Sequence, residues 1–536
     1  MLTNRLYKYA KLITTSVIVG TFTMGCTDSY MDYNENKHQA SEYQMSLDNL
    51  KTGAFFSQMQ RNVVIFKDGV NASSDYQVAQ GLSSDLYAGY VAPTGTWLGG
   101  VHNGSYAFQT GWIAQMFEKP FVYVMPAWQS VSKISKDQGL PHIAALATVV
   151  KVAGMHRVAD TYGPIPYVNF GGGELQSGYD SLEDVYKKFF EELDKSIDEL
   201  TAYVIGNPGV KIMEDFDYVY QGDATKWVKF ANTLRLRLAM RVVYADATLA
   251  QREAEKSINN PIGVITASNE KASLKHSSDL IYYHPLWEIK DFNAGEARMN
   301  ASMDAYMNGY ADPRRARYFT PAVSDGGYHG VRLGIVTTSW GDYVGNKISS
   351  FNMDQSSTEI VWMSAAESYF LRAEGAIRGW SMGGTAQDFY EKGIAVSFEE
   401  TGAGAATTYI ASSATPAAYV DNAKGSNGMV APSTIAIKWS ETDTNEKKLE
   451  RIITQKWIAM FPNGPEGWAE FRRTGYPKLF PVVSNRSNGT INTDIQVRRI
   501  PYPQSEYNKN EAGVQSGIAK LGGADNGGTK LWWDKK

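Results

Sequence analysis

Only one of the 536 residues is a cysteine, Cys26, so no disulfide can form within the chain and the fold must be held by its own core. Histidine is nearly as scarce. The seven present are scattered, without a His-x3-His or His/Cys grouping, and no zinc or other metal site is expected. Excess positive charge is lacking too: a formal net charge of -4 leaves no basic field, and nucleic acid and anionic lipid are set aside as partners. Past the N-terminal region no stretch reaches the ~18 consecutive apolar residues of a membrane-spanning helix. No nucleophile elbow, phosphate loop or dinucleotide fingerprint occurs in a fitting context, so no cofactor is expected.

The lone cysteine stands where a secretory signal would end. Arg5, Lys8 and Lys11 precede an apolar run at 12–20, and small residues lead to Gly25 and Cys26. A lipoprotein signal peptidase cuts before a cysteine whose thiol carries a diacylglyceryl group, so the pattern predicts removal of residues 1–25 and acylation of Cys26. Thr23 departs from the aliphatic residue usual at its place. The polar residues 27–37 give a cysteine little to be buried in, and 26–45 reads as acylated Cys and tether. The membrane would then hold the protein through lipid only. Residues 46–536 show no clean linker and read as a single domain.

Helical periodicity dominates that domain. Leu182, Val185, Phe189, Leu193, Ile197 and Leu200 recur at three- and four-residue steps behind Ser181, with Asp184 placed as in a capping arrangement. Similar stripes are Ile143, Leu146, Val150 and Ala153; Trp227, Phe230, Leu234 and Leu238; Met363, Ala366, Phe370, Ala373 and Ile377; and Leu449, Ile452, Ile453, Lys456, Trp457 and Met460. After the breaker at 382–384, Phe389, Tyr390, Ile394 and Phe398 complete a helix-turn-helix. Ala373, Ala376 and Gly393 among aromatic knobs let two helices approach closely, as in tetratricopeptide-like pairs. The fold class expected is mainly α: a tetratricopeptide-like helical-repeat scaffold with minor β content and long irregular loops at 63–110, 201–222, 259–361 and 401–445.

Five segments carry a resemblance. They are 159–167 (ADTYGPIPY), 312–319 (DPRRARYF), 364–374 (SAAESYFLRAE), 467–475 (GWAEFRRTG) and 499–507 (RIPYPQSEY). In this order, behind a lipoprotein signal, they resemble the SusD/RagB family of outer-membrane nutrient-binding lipoproteins across essentially the whole mature chain. The resemblance implies a helical scaffold with a loop-built ligand face, lying as a lid on a SusC-like TonB-dependent outer-membrane transporter at the surface of a Gram-negative cell. It implies delivery of glycans or, in some relatives, peptides. Read without the family, Glu367 and Glu374 share a helix face near Arg372 and Arg378, and Glu466 and Glu470 lie beside Arg472 and Arg473. A solvated or ion-paired face explains the first set better than a catalytic part, and a structural salt-bridge cluster explains the second better than the acid and base of a glycosidase. Asp160 reads as fixing a turn, and Asp312-Pro313 as a turn or helix start.

Aromatic residues make up 12% of the chain, with 13 Trp and 32 Tyr. A sugar offers a face of C–H groups and a rim of hydroxyls, so its site needs exposed Trp or Tyr beside polar groups. Two loop regions fit: 87–103, around Trp97 and Asn103, and 282–343, with Tyr283, Trp287, Trp340, Asp342 and Tyr343. Trp97, Trp287 and Trp340 are the expected stacking groups. Tyr283 and Tyr343 could stack or hydrogen-bond, and Asn103 and Asp342 could bind hydroxyls. Trp227, Trp380, Trp457 and Trp468 lie on amphipathic helices and belong to the core. The expected function is binding of oligo- or polysaccharide without catalysis. A peptide-binding member of the same scaffold is the alternative, and a glycoside hydrolase the weaker one.

Overall fold

A computed structural model describes residues 50–67, 73–172, 177–292, 295–337, 340–343, 347–354 and 358–536. Cys26, the signal segment and the tether lie outside the described residues. The apolar stripes become helices because each offers one continuous face to a neighbour. Helix α1 (Met125–Asp137) packs on α2 (Pro141–Tyr162), α2 on α3 (Leu182–Gly206), α3 on α4 (Ala224–Val242) and α4 on α5 (Ala247–Asn259). The stack continues through α6 (Ala365–Ile377), α7 (Ala386–Thr401), α8 (Asn445–Ala459) and α9 (Gly464–Thr474), with α6 against α4, α7 and α8. This is the tetratricopeptide-like repeat scaffold. Thr52–Lys536 form one compact unit.

Local chemistry sets the helix ends. Ser181 Oγ accepts the Asp184 N–H at 3.1 Å and donates to the Asp184 carboxylate at 2.6 Å, which starts α3 where the stripe predicts. Met363 is a correction. It ends strand β4 (Ile360–Met363), because Ser364 Oγ caps the Glu367 N–H at 3.1 Å and starts α6 only at Ala365. Gly393 of α7 lies against Phe370 of α6, and a Cβ there would stand 2.9 Å from that ring. The other strands among the described residues are β1 (Val91–Pro93), β2 (Ala272–Leu274) and β3 (Ala297–Met299). They form two antiparallel pairs, β1 with β3 and β2 with β4. Asn488 and Gly489, at φ 53° and 82°, make a tight turn in the left-handed region.

Charge runs through the middle of the helical stack. Glu367 of α6 takes two bonds from Arg237 of α4, at 2.8 and 2.6 Å, with Lys456 Nζ at 3.6 Å. Glu466 pairs with Arg241 at 2.5 Å and with Lys456 at 3.3 Å, and Glu470 with Arg473 at 2.5 Å. Glu374 is gripped by Arg473 and Arg378, each at 2.7 Å. All four carboxylates are buried, so these pairs form an interior network and not a solvated face. Asp160 joins it instead of fixing a turn: its carboxylate accepts from Tyr186 Oη at 2.5 Å and lies 3.3 Å from Arg241 Nε. Trp533 is fully buried over Arg241 and Arg472, and Asp534 is paired with Arg498. Trp227, Trp457 and Trp468 are fully buried as expected, while Trp380 is half-buried against the core.

Candidate functional site

Backbone pairing draws the two aromatic loop regions together. Val91, Ala92 and Pro93 face Met299, Arg298 and Ala297 across the β1–β3 ladder. Just past it, Thr94 donates from its N–H to Glu296 O at 2.8 Å and from Oγ1 to Gly295 O at 3.0 Å. Thr96 Oγ1 then accepts the Thr337 N–H at 3.0 Å and donates to Thr337 O at 3.3 Å. Thr337 Oγ1 in turn donates to Asp342 at 2.8 Å. These bonds satisfy loop polar groups that no helix supplies, and they latch the Trp97 loop to the segment at 295–297, to Thr337 and, through Thr337, to Asp342.

Beyond Thr96 the chain turns sharply through Leu98, Gly99 and Gly100 at φ 49°, 67° and 85°. Leu98 occupies this left-handed region without a glycine's freedom and stands 59% exposed. Trp97 sits half-buried beside it, its ring 6.1 Å from Trp112 at 89° and 5.4 Å from His102. The indole Nε1 is buried without a protein partner. His102 is buried, which lowers its pKa to about 4, and its Nδ1 accepts the Gly104 N–H at 3.1 Å. It therefore supports Trp97 as a neutral ring.

Trp97, Leu98 and Trp112 border a cavity of about 410 Å³ with Phe292, which is 48% exposed, over an apolar floor of Val78 and Leu82. Gln77 and Glu296 supply polar groups at its edge. Two indoles at right angles, a third exposed ring and a polar edge suit a ligand with a C–H face and hydroxyls around it. The cleft offers no carboxylate pair: Glu296 is the one acid among its lining residues.

The other expected residues take varied places. Tyr283 and Trp287 are half-buried and pack edge-on, 5.3 Å apart, with Lys290 Nζ 5.5 Å from the Trp287 ring. Their helix, Pro285–Ile289, turns Leu286 and Ile289 toward the underside of Trp97. Asp342 borders a separate polar cavity of about 340 Å³ with Asp325, His329 and Lys347. Asn103 is fully buried, its Nδ2 donating to Leu82 O at 2.8 Å and its Oδ1 accepting the Gln109 N–H at 2.9 Å. Tyr343 is buried and donates to Asp421 at 2.7 Å. Both have their polar atoms engaged as loop scaffold, so neither is free to meet hydroxyls. For Trp340 only the backbone is described, opening a 3-10 turn to Asp342. Trp112, Leu98 and Phe292 escape the sequence reading. The signal for Phe292 was an aromatic set in a polar run, between Asp291 and Asn293.

Comparison with known proteins places these features in a family. The SusD-like family, described as Susd and RagB outer membrane lipoprotein, matches residues 32–534. A chitin-binding SusD homolog from Flavobacterium johnsoniae is 42% identical, with a TM-score of 0.86 over 90% of this chain and 99% of that one. A SusD homolog from Bacteroides vulgatus is 37% identical, with a TM-score of 0.85 over 92% of this chain and 99% of that one. A third, from Bacteroides uniformis, is 37% identical, with a TM-score of 0.84 over 91% and 99%. No curated protein matches.

Proposed function

Because the chain belongs to the SusD-like family of outer-membrane lipoproteins, a family of binding proteins and not enzymes, we propose that it captures oligo- or polysaccharide in the Trp97 cleft and passes it to a partner SusC-like TonB-dependent outer-membrane transporter. Residues 1–25 are the signal, 26–45 the acylated Cys26 and its tether, and 46–536 the binding domain at the cell surface. The observation that carries this reading is the cleft itself: Trp97 and Trp112 at right angles, with Leu98 and Phe292 exposed beside them. Large exposed apolar groups around one cavity are costly in water unless a ligand covers them. The Flavobacterium johnsoniae homolog is chitin-binding, which makes β-linked amino-sugar chains the first ligands to try.

Calorimetric titration of the mature protein with chito-, cello- and malto-oligosaccharides tests this. Trp97→Ala should weaken binding of the preferred chain by about 1–3 kcal/mol, the loss expected of a dominant aromatic anchor. Trp340→Ala tests the neighbouring turn in the same way. Melting temperatures should stay near wild type. A sharp fall in both variants, with binding unchanged, would return these residues to packing.

A further inference from the structure

A second cavity, about 120 Å³, lies inside the scaffold between α2, β4, α6 and the segment after α8. Among the side chains bordering it are Gln80, Arg157, Trp362, Glu367, Glu400 and Asn463. It shares Lys271, Glu359 and Glu400 with a hollow of about 430 Å³ at the surface, and the Lys271–Glu359 ion pair, at 2.8 Å, is about a quarter exposed. That gives it a polar entrance.

Arg157 is the unusual wall residue. It is only 4% exposed, yet its guanidinium donates to two neutral amides, Gln80 Oε1 at 3.0 Å and Asn463 Oδ1 at 3.3 Å. Its Nε has no partner. Trp362, 2% exposed, also leaves its Nε1 without one. Two residues with an unpartnered buried N–H therefore border one cavity; one of them is a cation with no ion pair among the described residues, its charge offset only through space by Asp85 and Glu466, and such burial is costly.

The neighbouring carboxylates are committed elsewhere. Glu367 is held by Arg237 and Lys456. Glu400 accepts the Ala365 N–H at 2.8 Å, and burial raises its pKa to about 7. Asp85 makes no hydrogen bond to Arg157 and is linked to it through Gln80, whose Nε2 donates to it at 3.1 Å; it acts on the guanidinium through space, and burial raises it to about 7 as well. A water molecule could accept from these donors but brings its own hydrogens, which need further acceptors; an anion brings acceptors and a negative charge together.

We propose that this interior cavity binds one small monovalent anion, of halide to carboxylate size, on Arg157 Nε–H and Trp362 Nε1–H. The site is distinct from the Trp97 cleft and does not depend on what that cleft binds. It shares one element with it: Gln80 belongs to the π-helical turn Gln77–Gly81, whose Gln77 and Val78 line the cleft.

Bromide is the probe. Crystals of the mature protein grown with sodium bromide should show an anomalous peak in this cavity, within hydrogen-bond reach of both donors. In solution, melting temperature should rise saturably as bromide replaces gluconate at constant ionic strength. Trp362→Phe keeps the ring and removes only the N–H, and should raise the half-saturating bromide concentration about tenfold. Arg157→Gln should abolish the response; if that variant fails to fold, Trp362→Phe carries the test. Water density in the cavity with bromide only at the surface, or a response equal in wild type and Trp362→Phe, would overturn the proposal.

Discussion

Glu374 and Glu400 show one residue type driven in opposite directions by its surroundings. Glu374 is buried between Arg473 and Arg378, and although burial alone would raise its pKa, the two guanidiniums bring it down to about 2. Its contribution to stability is present above the ordinary carboxylate range and is lost as pH falls toward 2. Glu374→Gln should cost about 3–5 kcal/mol in urea denaturation at neutral pH, because Arg473 and Arg378 then lose a buried partner. A loss under 1 kcal/mol would mean that the network relaxes around the gap. Glu400 behaves in reverse. Burial lifts it to about 7, so the native state keeps its proton where the unfolded chain has released it. Its contribution is full below pH 4 and disappears as pH rises through 7. Glu400→Gln, neutral throughout, should therefore gain stability relative to wild type between pH 5 and pH 8. The gain should be on the order of 1 kcal/mol, given the partial exposure of the residue. Parallel pH profiles for the two proteins would count against the assignment. Sequence spacing read Glu466 and Glu470 as a salt-bridge cluster and left Glu367 and Glu374 between a solvated and an ion-paired face. It could not supply Arg237, Arg241 or Lys456 as partners, since those come from helices whose neighbours are decided by tertiary packing.

At the scale of elements, the helices were the readable part. A stripe such as Leu182 to Leu200 repeats often enough that only one periodicity fits, and every member is buried. Gly393 was legible for the same reason: a glycine in an aromatic-rich helix marks a close crossing. Gly393→Val should destabilise by about 1–3 kcal/mol through overlap with Phe370, measured by thermal or urea unfolding. An unchanged midpoint would show that α6 and α7 can separate without cost. Loops resisted the same reasoning. Asn103 and Tyr343 look like ligand groups in sequence, but the backbone around them needs internal partners, and they turn inward to provide them or to be held. Trp97 stood out because glycines surround it. Trp112 and Phe292 reach its cleft from positions 15 and 195 residues away, and Phe292 is brought there by the β1–β3 ladder and the Thr94 bonds, which carry no short-range signature.

For the whole molecule, the proposed role requires company, since a bound glycan is not yet an imported one. Extraction of native membranes in mild detergent should recover this protein together with a large outer-membrane barrel, through an interface above the ~1,000 Å² of a specific complex. Recovery of the protein always alone would favour a free-standing binder. Cys26→Ala should lose a metabolically incorporated fatty-acid probe and leave the membrane fraction, because stable attachment needs more than one acyl chain. Equal labelling of wild type and variant would remove Cys26 as the anchor. Among the described residues no helix is long and apolar enough to cross a membrane, so the anchor is the feature these two experiments turn on.

Trp533 and Asp534 give the interior charges a different kind of significance, one of order in time. Arg241, Arg472 and Arg498 are delivered earlier in synthesis than the ring and the carboxylate that cover them. Until position 534 has emerged, three guanidiniums lack one of their final neighbours. The native surroundings of these interior cations are therefore completed only by the last residues of the chain, however early their own helices form.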